Sequence, residues 1–125
     1  MTFERGQVVR VPFPFTDRAA TKNRPALVVS GHAFNRASGQ LVLAMITSAN
    51  NPPWPLDCAI QDLSSAGLPA PSVVRAKLFT LDTRLVRGAL GTLATDDAFR
   101  VSQTLRRLLE LGPETNVPES ASIPA

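Results

Sequence analysis

Apolar residues fall along this chain in short runs separated by polar or proline-rich breaks. Residues 7–13, Gln-Val-Val-Arg-Val-Pro-Phe, follow Gly6 and are rich in β-branched and apolar side chains. They predict a first strand with an irregular end at Pro12 and Pro14. Residues 25–30, Pro-Ala-Leu-Val-Val-Ser, offer apolar side chains to both faces, which predicts a central strand with Pro25 as its first residue. Residues 41–47, Leu-Val-Leu-Ala-Met-Ile-Thr, predict a third buried strand. Residues 72–80 alternate from Val74 on. Val74, Ala76, Leu78 and Thr80 take one side and Arg75, Lys77 and Phe79 the other, giving a strand with one basic face. Shorter strands are expected at 56–60 and 89–93.

The intervening segments break the pattern. Residues 15–24 form a polar loop, and the prolines between 48 and 55 force a second loop. Residues 32–37 allow one helical turn, ended by Gly39. Residues 63–67 read as a turn, and 82–86 as a turn or short helix. Helical spacing appears only after residue 95. Val101, Leu105, Leu108 and Leu109 share one stripe, with Arg100, Arg106 and Arg107 on the other side. Thr95 can cap this helix, Asp96 and Asp97 suit its first turn, and Gly112-Pro113 stops it.

No crossover helix fits between the strands, which excludes parallel βαβ units. The expected fold is mainly β with a C-terminal helix: a small, strongly bent antiparallel sheet or barrel capped by that helix. The 125 residues predict one domain over residues 1–111. A Pro- and Ser-rich tail, 112–125, is expected to be disordered.

Composition narrows the chemistry. A single cysteine, Cys58, allows neither an intramolecular disulfide nor a cysteine metal cluster, and it fits a reducing compartment. A single histidine, His32, removes most zinc-site and triad schemes, so no metal or cofactor is expected. No apolar run approaches the roughly 18 residues of a membrane span, and the N-terminus carries no apolar signal region, so a cytoplasmic protein without membrane contact is expected. The net charge is +3, and eleven of the thirteen basic residues are arginine, whose planar fork suits phosphate.

Two strand ends carry the candidate chemistry. Arg24 directly precedes the buried strand at 25–30, and Thr47-Ser48 ends the strand at 41–47. If these strands pair, a guanidinium and one or two hydroxyls share a rim, which suits a phosphate group. From spacing alone, the alternatives are a solvated arginine and an ordinary turn.

The order of several blocks resembles the MazF/PemK family of bacterial toxins. These are residues 4–14, Arg24-Pro-Ala-Leu-Val-Val-Ser30, Phe34-Asn35-Arg36, Ile46-Thr47-Ser48, Ser72-Val-Val-Arg75 with Thr80-Leu-Asp82, and Leu90-Gly91-Thr92-Leu93. The resemblance runs from about residue 3 to 111. It implies an SH3-like barrel, a homodimer, and the toxin half of a type II toxin–antitoxin pair, with a cognate antitoxin and single-stranded RNA as partners in a bacterial cytoplasm. It further implies metal-independent, sequence-selective cleavage by 2′-hydroxyl attack, leaving a 2′,3′-cyclic phosphate and a 5′-hydroxyl. The family's catalytic arginine falls on Arg24 and its catalytic threonine on Thr47. Asp17, Lys22, Ser48, Asn50, Arg75 and Lys77 are the expected substrate-binding positions.

Asp17 is either the group that takes the 2′ proton or a turn-forming residue. Lys77 stands where some members carry an acid, so it is expected to hold phosphate. Arg75 either reaches the phosphate or pairs at the dimer interface. Trp54 either anchors its loop on the barrel or stacks on an RNA base. The alternatives to cleavage are a gyrase-binding toxin of the same fold and a member that binds RNA or antitoxin but has lost turnover.

Overall fold

The computed structural model describes residues 2–13 and 22–112. The expected first loop, with Asp17, and the expected tail beyond residue 112 lie outside them. The described residues form one antiparallel six-stranded sheet in the order β4-β5-β3-β2-β1-β6. The strands are β1 (Gln7–Phe13), β2 (Lys22–Val28), β3 (Gln40–Ser48), β4 (Cys58–Ala59), β5 (Ser72–Asp82) and β6 (Gly88–Thr92), and the helices are α1 (His32–Ser38), α2 (Leu63–Ala66) and α3 (Thr95–Leu109). This is a mainly antiparallel half-barrel with a C-terminal helix, as expected.

Strand alternation builds a core on each face of the sheet. Val8, Leu27, Ala44, Ile46 and Val74 point to the side covered by Val101 of α3. Their chain neighbours Val9, Val11, Ala26, Val28 and Leu43 point to the other side, where Phe3 closes the layer. A doubly apolar strand belongs in the middle of such a sheet, and β2 lies between β1 and β3. Burying each Val or Leu contributes roughly 1.5–3 kcal/mol, and these positions are almost fully enclosed.

Four local expectations need correction. β2 begins at Lys22, three residues earlier than expected, and Pro25 lies inside it instead of starting it. The prolyl ring is tolerated because the strand leans on β1 there. The β1 ladder runs on to Phe13 opposite Lys22, while the β3 ladder stops at Ala26 opposite Met45. The strand expected at 56–60 shrinks to Cys58–Ala59. The residue capping α3 is Ala94, not Thr95, and its side chain makes no cap. Finally, α3 ends at Leu109 with Glu110 left-handed at φ 55°, before Gly112.

The acidic first turn of α3 does more than complement the helix dipole. The buried Asp97 carboxylate accepts from the Gln61 N–H at 3.0 Å and the Asp62 N–H at 2.9 Å, and it pairs with Arg100. This ties α3 to the turn before α2. α2 itself lies close against β6. A Cβ on Gly67 would lie 2.0 Å from the Leu90 carbonyl oxygen, and one on Gly91 would lie 2.3 Å from that of Ser65.

The β3–β5 ladder breaks once. Ala44 faces Leu78, but Met45 faces Arg75, so Ala76 and Lys77 bulge from the ladder. An insertion of two residues preserves the alternation, which is why Val74 and Leu78 still meet the same core.

Candidate active site

The β2–β3 ladder runs from Val28 opposite Leu43 to Ala26 opposite Met45 and goes no further. Continued in register, it would set Pro25 against Ile46 and Arg24 against Thr47. Pro25 has no N–H to donate, and the strands part there. The gap is a groove of about 230 Å³ with Arg24 and Pro25 on one lip, Ile46, Thr47 and Ser48 on the other, and residues 68–72 closing its end. The two strand ends singled out from the sequence therefore meet.

Arg24 is exposed, and among the described residues its guanidinium makes no hydrogen bond or ion pair. Its neighbour is the Phe13 ring, with Cζ 5.9 Å from the centroid. Thr47 Oγ1 accepts from Asn51 Nδ2 at 2.6 Å. That bond occupies an oxygen lone pair and leaves the hydroxyl proton free to donate elsewhere. Ser48 Oγ likewise accepts from the Asn50 N–H at 3.1 Å, which ties the Asn50 backbone into the turn after β3 and leaves the Ser48 hydroxyl proton free to donate as well. A free cation beside an available O–H donor can bind and polarise a phosphoryl group.

The loop after β3 is held by an ion pair that the sequence reading missed. Asp57 accepts from Arg75 through both oxygens: Oδ1 from Nε and Oδ2 from Nη2, each at 3.1 Å. Arg75 Nη2 also donates to the Pro52 carbonyl at 2.9 Å. The Trp54 N–H donates to Asp57 Oδ2 at 2.9 Å, and the Trp54 ring lies 5.1 Å from the guanidinium carbon. Arg75, at 8% exposure, is thus engaged with its own loop. Burial raises the Asp57 carboxyl, but the Arg75 hydrogen bonds and the Trp54 N–H outweigh it and leave the group below its ordinary value of 3.8.

Lys77 projects from the bulge. Its Nζ stands 6.0 Å from the Phe13 centroid and 5.8 Å from that of Trp54, with no ion pair among the described residues. Arg24, Phe13, Lys77, Trp54 and Arg75 thus form one continuous row of alternating cations and rings. Lys22 is exposed at the start of β2, opposite Phe13. Asp17 lies outside the described residues. Phe13, Asn51 and Asp57 were not singled out from the sequence. Asn51 follows Asn50 in the same turn, and nothing local tells which of the two reaches Thr47. Asp57 and Arg75 are 18 residues apart, so only the fold reveals that pair.

A larger cavity, about 350 Å³, lies beneath α3 among Leu27, Val29, Ala98, Phe99 and Leu105. Its side-chain polar groups are few, and Arg5 Nη2 there already donates to Ser102 Oγ at 3.1 Å. It does not match a phosphate ester as the groove does.

Compared with known families, residues 4–109 match the model of the PemK-like, MazF-like toxins of type II toxin–antitoxin systems. The chain belongs to this family. Its MazF-like fold recurs in solved structures. One is an endoribonuclease in complex with its cognate antitoxin from a mycobacterial species, with 21% identity and a TM-score of 0.70, covering 90% of this chain and 98% of that one. Another is a MazE–MazF complex from Deinococcus radiodurans, with 25% identity, a TM-score of 0.70 and coverage of 88% and 98%. MazF alone from the same organism gives 23% identity, a TM-score of 0.69 and the same coverage. No curated protein matches by sequence.

Proposed function

We propose that this MazF-like toxin is an endoribonuclease that cleaves single-stranded RNA at the seam between β2 and β3 without a metal ion. The observation that carries this reading is the convergence of Arg24 and Thr47 on one groove, with the arginine free of any carboxylate among the described residues.

In the reaction, the ribose 2′-oxygen forms a bond to the adjacent phosphorus and the bond from phosphorus to the 5′-oxygen breaks. The 2′ proton leaves to an acceptor, and the departing 5′-oxygen gains a proton. The products are a 2′,3′-cyclic phosphate and a 5′-hydroxyl. Extra negative charge builds on the phosphoryl oxygens as the new bond forms. Arg24 neutralises it, and the Thr47 hydroxyl, oriented by Asn51, donates to the same oxygens. A guanidinium with a pKa above about 12 is a poor proton acceptor, so Arg24 acts on charge and position. Lys77 holds a neighbouring phosphate, a role supported by its displacement from the ladder at the bulge.

By the same reading the protein acts as a homodimer in the cytoplasm and is restrained by a cognate antitoxin. Two of the solved relatives were determined with their antitoxins. The test is incubation of the purified protein with mixed-sequence single-stranded RNA in excess EDTA. Fragments bearing 5′-hydroxyl ends support the proposal. Loss of cleavage on chelation refutes the metal-free mechanism, and intact RNA with retained gyrase on a pull-down refutes the nuclease reading.

A further inference from the structure

A tryptophan ring carries the largest apolar surface of any side chain and is on average mostly buried, though rarely completely. Trp54 is 44% exposed, yet it is firmly held. Its backbone N–H donates to Asp57 Oδ2 at 2.9 Å, its backbone carbonyl accepts from the Asp57 N–H at 3.2 Å, and its ring meets the Arg75 guanidinium. That guanidinium is itself fixed by Asp57 and the Pro52 carbonyl. A ring that served only to anchor the loop would gain by covering more of its apolar surface. This ring is instead oriented by an almost buried ion pair while much of its surface is left to solvent.

We propose that Trp54 is a nucleobase-stacking residue that sets where the RNA strand lies relative to the scissile phosphate, with Lys77 holding the phosphate between that base and the reaction groove. The inference rests on the endoribonuclease reading and adds to it a site for the flanking nucleotide. The chemistry follows from the row already described. Single-stranded nucleic acid alternates anionic phosphates with flat π-faces, and proteins that grip it alternate cations with aromatic rings. Here Arg24 stands at Phe13, Lys77 stands within about 6 Å of both rings, and Trp54 follows. Asp57 cancels the charge of Arg75, whereas Lys77 has no carboxylate partner among the described residues. Lys77 is therefore the cation left to meet phosphate, and Arg75 is the support behind the ring. Because the ring is already oriented, stacking a base on it immobilises little of the protein, which favours binding.

The chain contains one tryptophan and no tyrosine, so its indole emission reports on Trp54 alone. The experiment has two arms. In the first, mixed-sequence RNA is cleaved by wild type, Trp54→Ala and Trp54→Phe, the cut sites are mapped, and steady-state kinetics are measured on a short RNA bearing the preferred site. In the second, a 2′-O-methyl copy of that RNA, which cannot be cleaved, is titrated into wild type while Trp54 emission is followed. Stacking gives strong quenching that saturates. It also gives a Trp54→Ala enzyme with KM raised on the order of 10-fold or more, kcat largely kept and a relaxed choice of flanking base, while Trp54→Phe recovers most of the loss. Cleavage by wild type with no quenching, or with Trp54→Ala matching wild type, overturns the stacking role and leaves the nuclease reading standing. Trp54→Ala and Trp54→Phe equally impaired, with melting temperatures lowered together, assigns the ring to the fold and also overturns it. If wild type neither cleaves nor binds RNA, both readings fall.

Discussion

Arg24 and Thr47 would be register partners in a ladder that stops before it reaches them. Pairing between their strands ends two residues short, at Ala26 and Met45. The groove between their side chains exists because the sheet opens at that point.

Arg24 is therefore expected to matter for rate and not for stability. Arg24→Ala should lower kcat by about 10²–10³-fold, the usual cost of losing one preorganised charge stabiliser. The melting temperature should stay within the small range of an exposed substitution. Arg24→Lys should recover only part of the rate, since an ammonium cannot present the same planar fork. Single-turnover cleavage with parallel thermal melts checks this.

Asn51 is expected to act through Thr47. Removing its amide frees the Thr47 hydroxyl to rotate and costs one neutral hydrogen bond, about 1 kcal/mol. Asn51→Ala should then lower kcat roughly 5-fold with KM little changed. In the Thr47→Ala background the same change should have no further effect, which a double-mutant cycle measures.

The Asp57–Arg75 pair makes the Trp54 loop sensitive to acid. The carboxyl in the folded protein lies below its ordinary value of 3.8. Its contribution to stability is therefore complete above that value and is lost as pH falls through the depressed one. Trp54 emission should hold steady down to about pH 4 and shift below it. Asp57→Ala should remove that transition. It leaves the guanidinium without its anion and should destabilise the fold by about 2 kcal/mol, read as a lower urea midpoint.

Gly91 should matter to both fold and cleavage although it lies outside the groove. A methyl there would sit 2.3 Å from the Ser65 carbonyl and must push α2 away from β6. Gly91→Ala should cost about 1–3 kcal/mol, as overpacking does. Because residues 68–72 follow α2 and close the end of the groove, kcat/KM should fall as well. Denaturant melts and kinetics on the same preparation test this.

Most of the architecture was legible from the pattern of apolar residues. β1, β3, β5 and α3 lie within a few residues of where the sequence places them, because their burial depends on local alternation or helical spacing. Arg24 and Thr47 could be singled out because each flanks a buried run, and strands adjacent in sequence usually pair. What could not be read depends on contacts distant in the chain. Pro25 looked like a strand start because a proline inside a central strand is normally excluded. That exclusion lapses where one neighbouring ladder has ended, and only the register reveals it. The commitment of Arg75 to Asp57 was equally hidden, since a basic strand face looks the same whether its arginine meets solvent or a carboxylate on a distant loop.

The seam has a mechanical consequence. Arg24 rides on the β1–β2 ribbon, paired through to Lys22, and Thr47 on the β3–β5 ribbon, paired through to Ser48 and Ser72. Three register pairs from Ala26 to Val28, with the Val29 N–H bonded to the Val42 carbonyl at 2.9 Å just beyond them, join the two ribbons. Those pairs form a short hinge, with the guanidinium on one arm and the hydroxyl on the other. A flex at this joint would change the span between the two groups while leaving each arm's own ladder paired. On the proposed mechanism, anything that wedged between the arms, or clamped across them, would stop cleavage without touching either side chain.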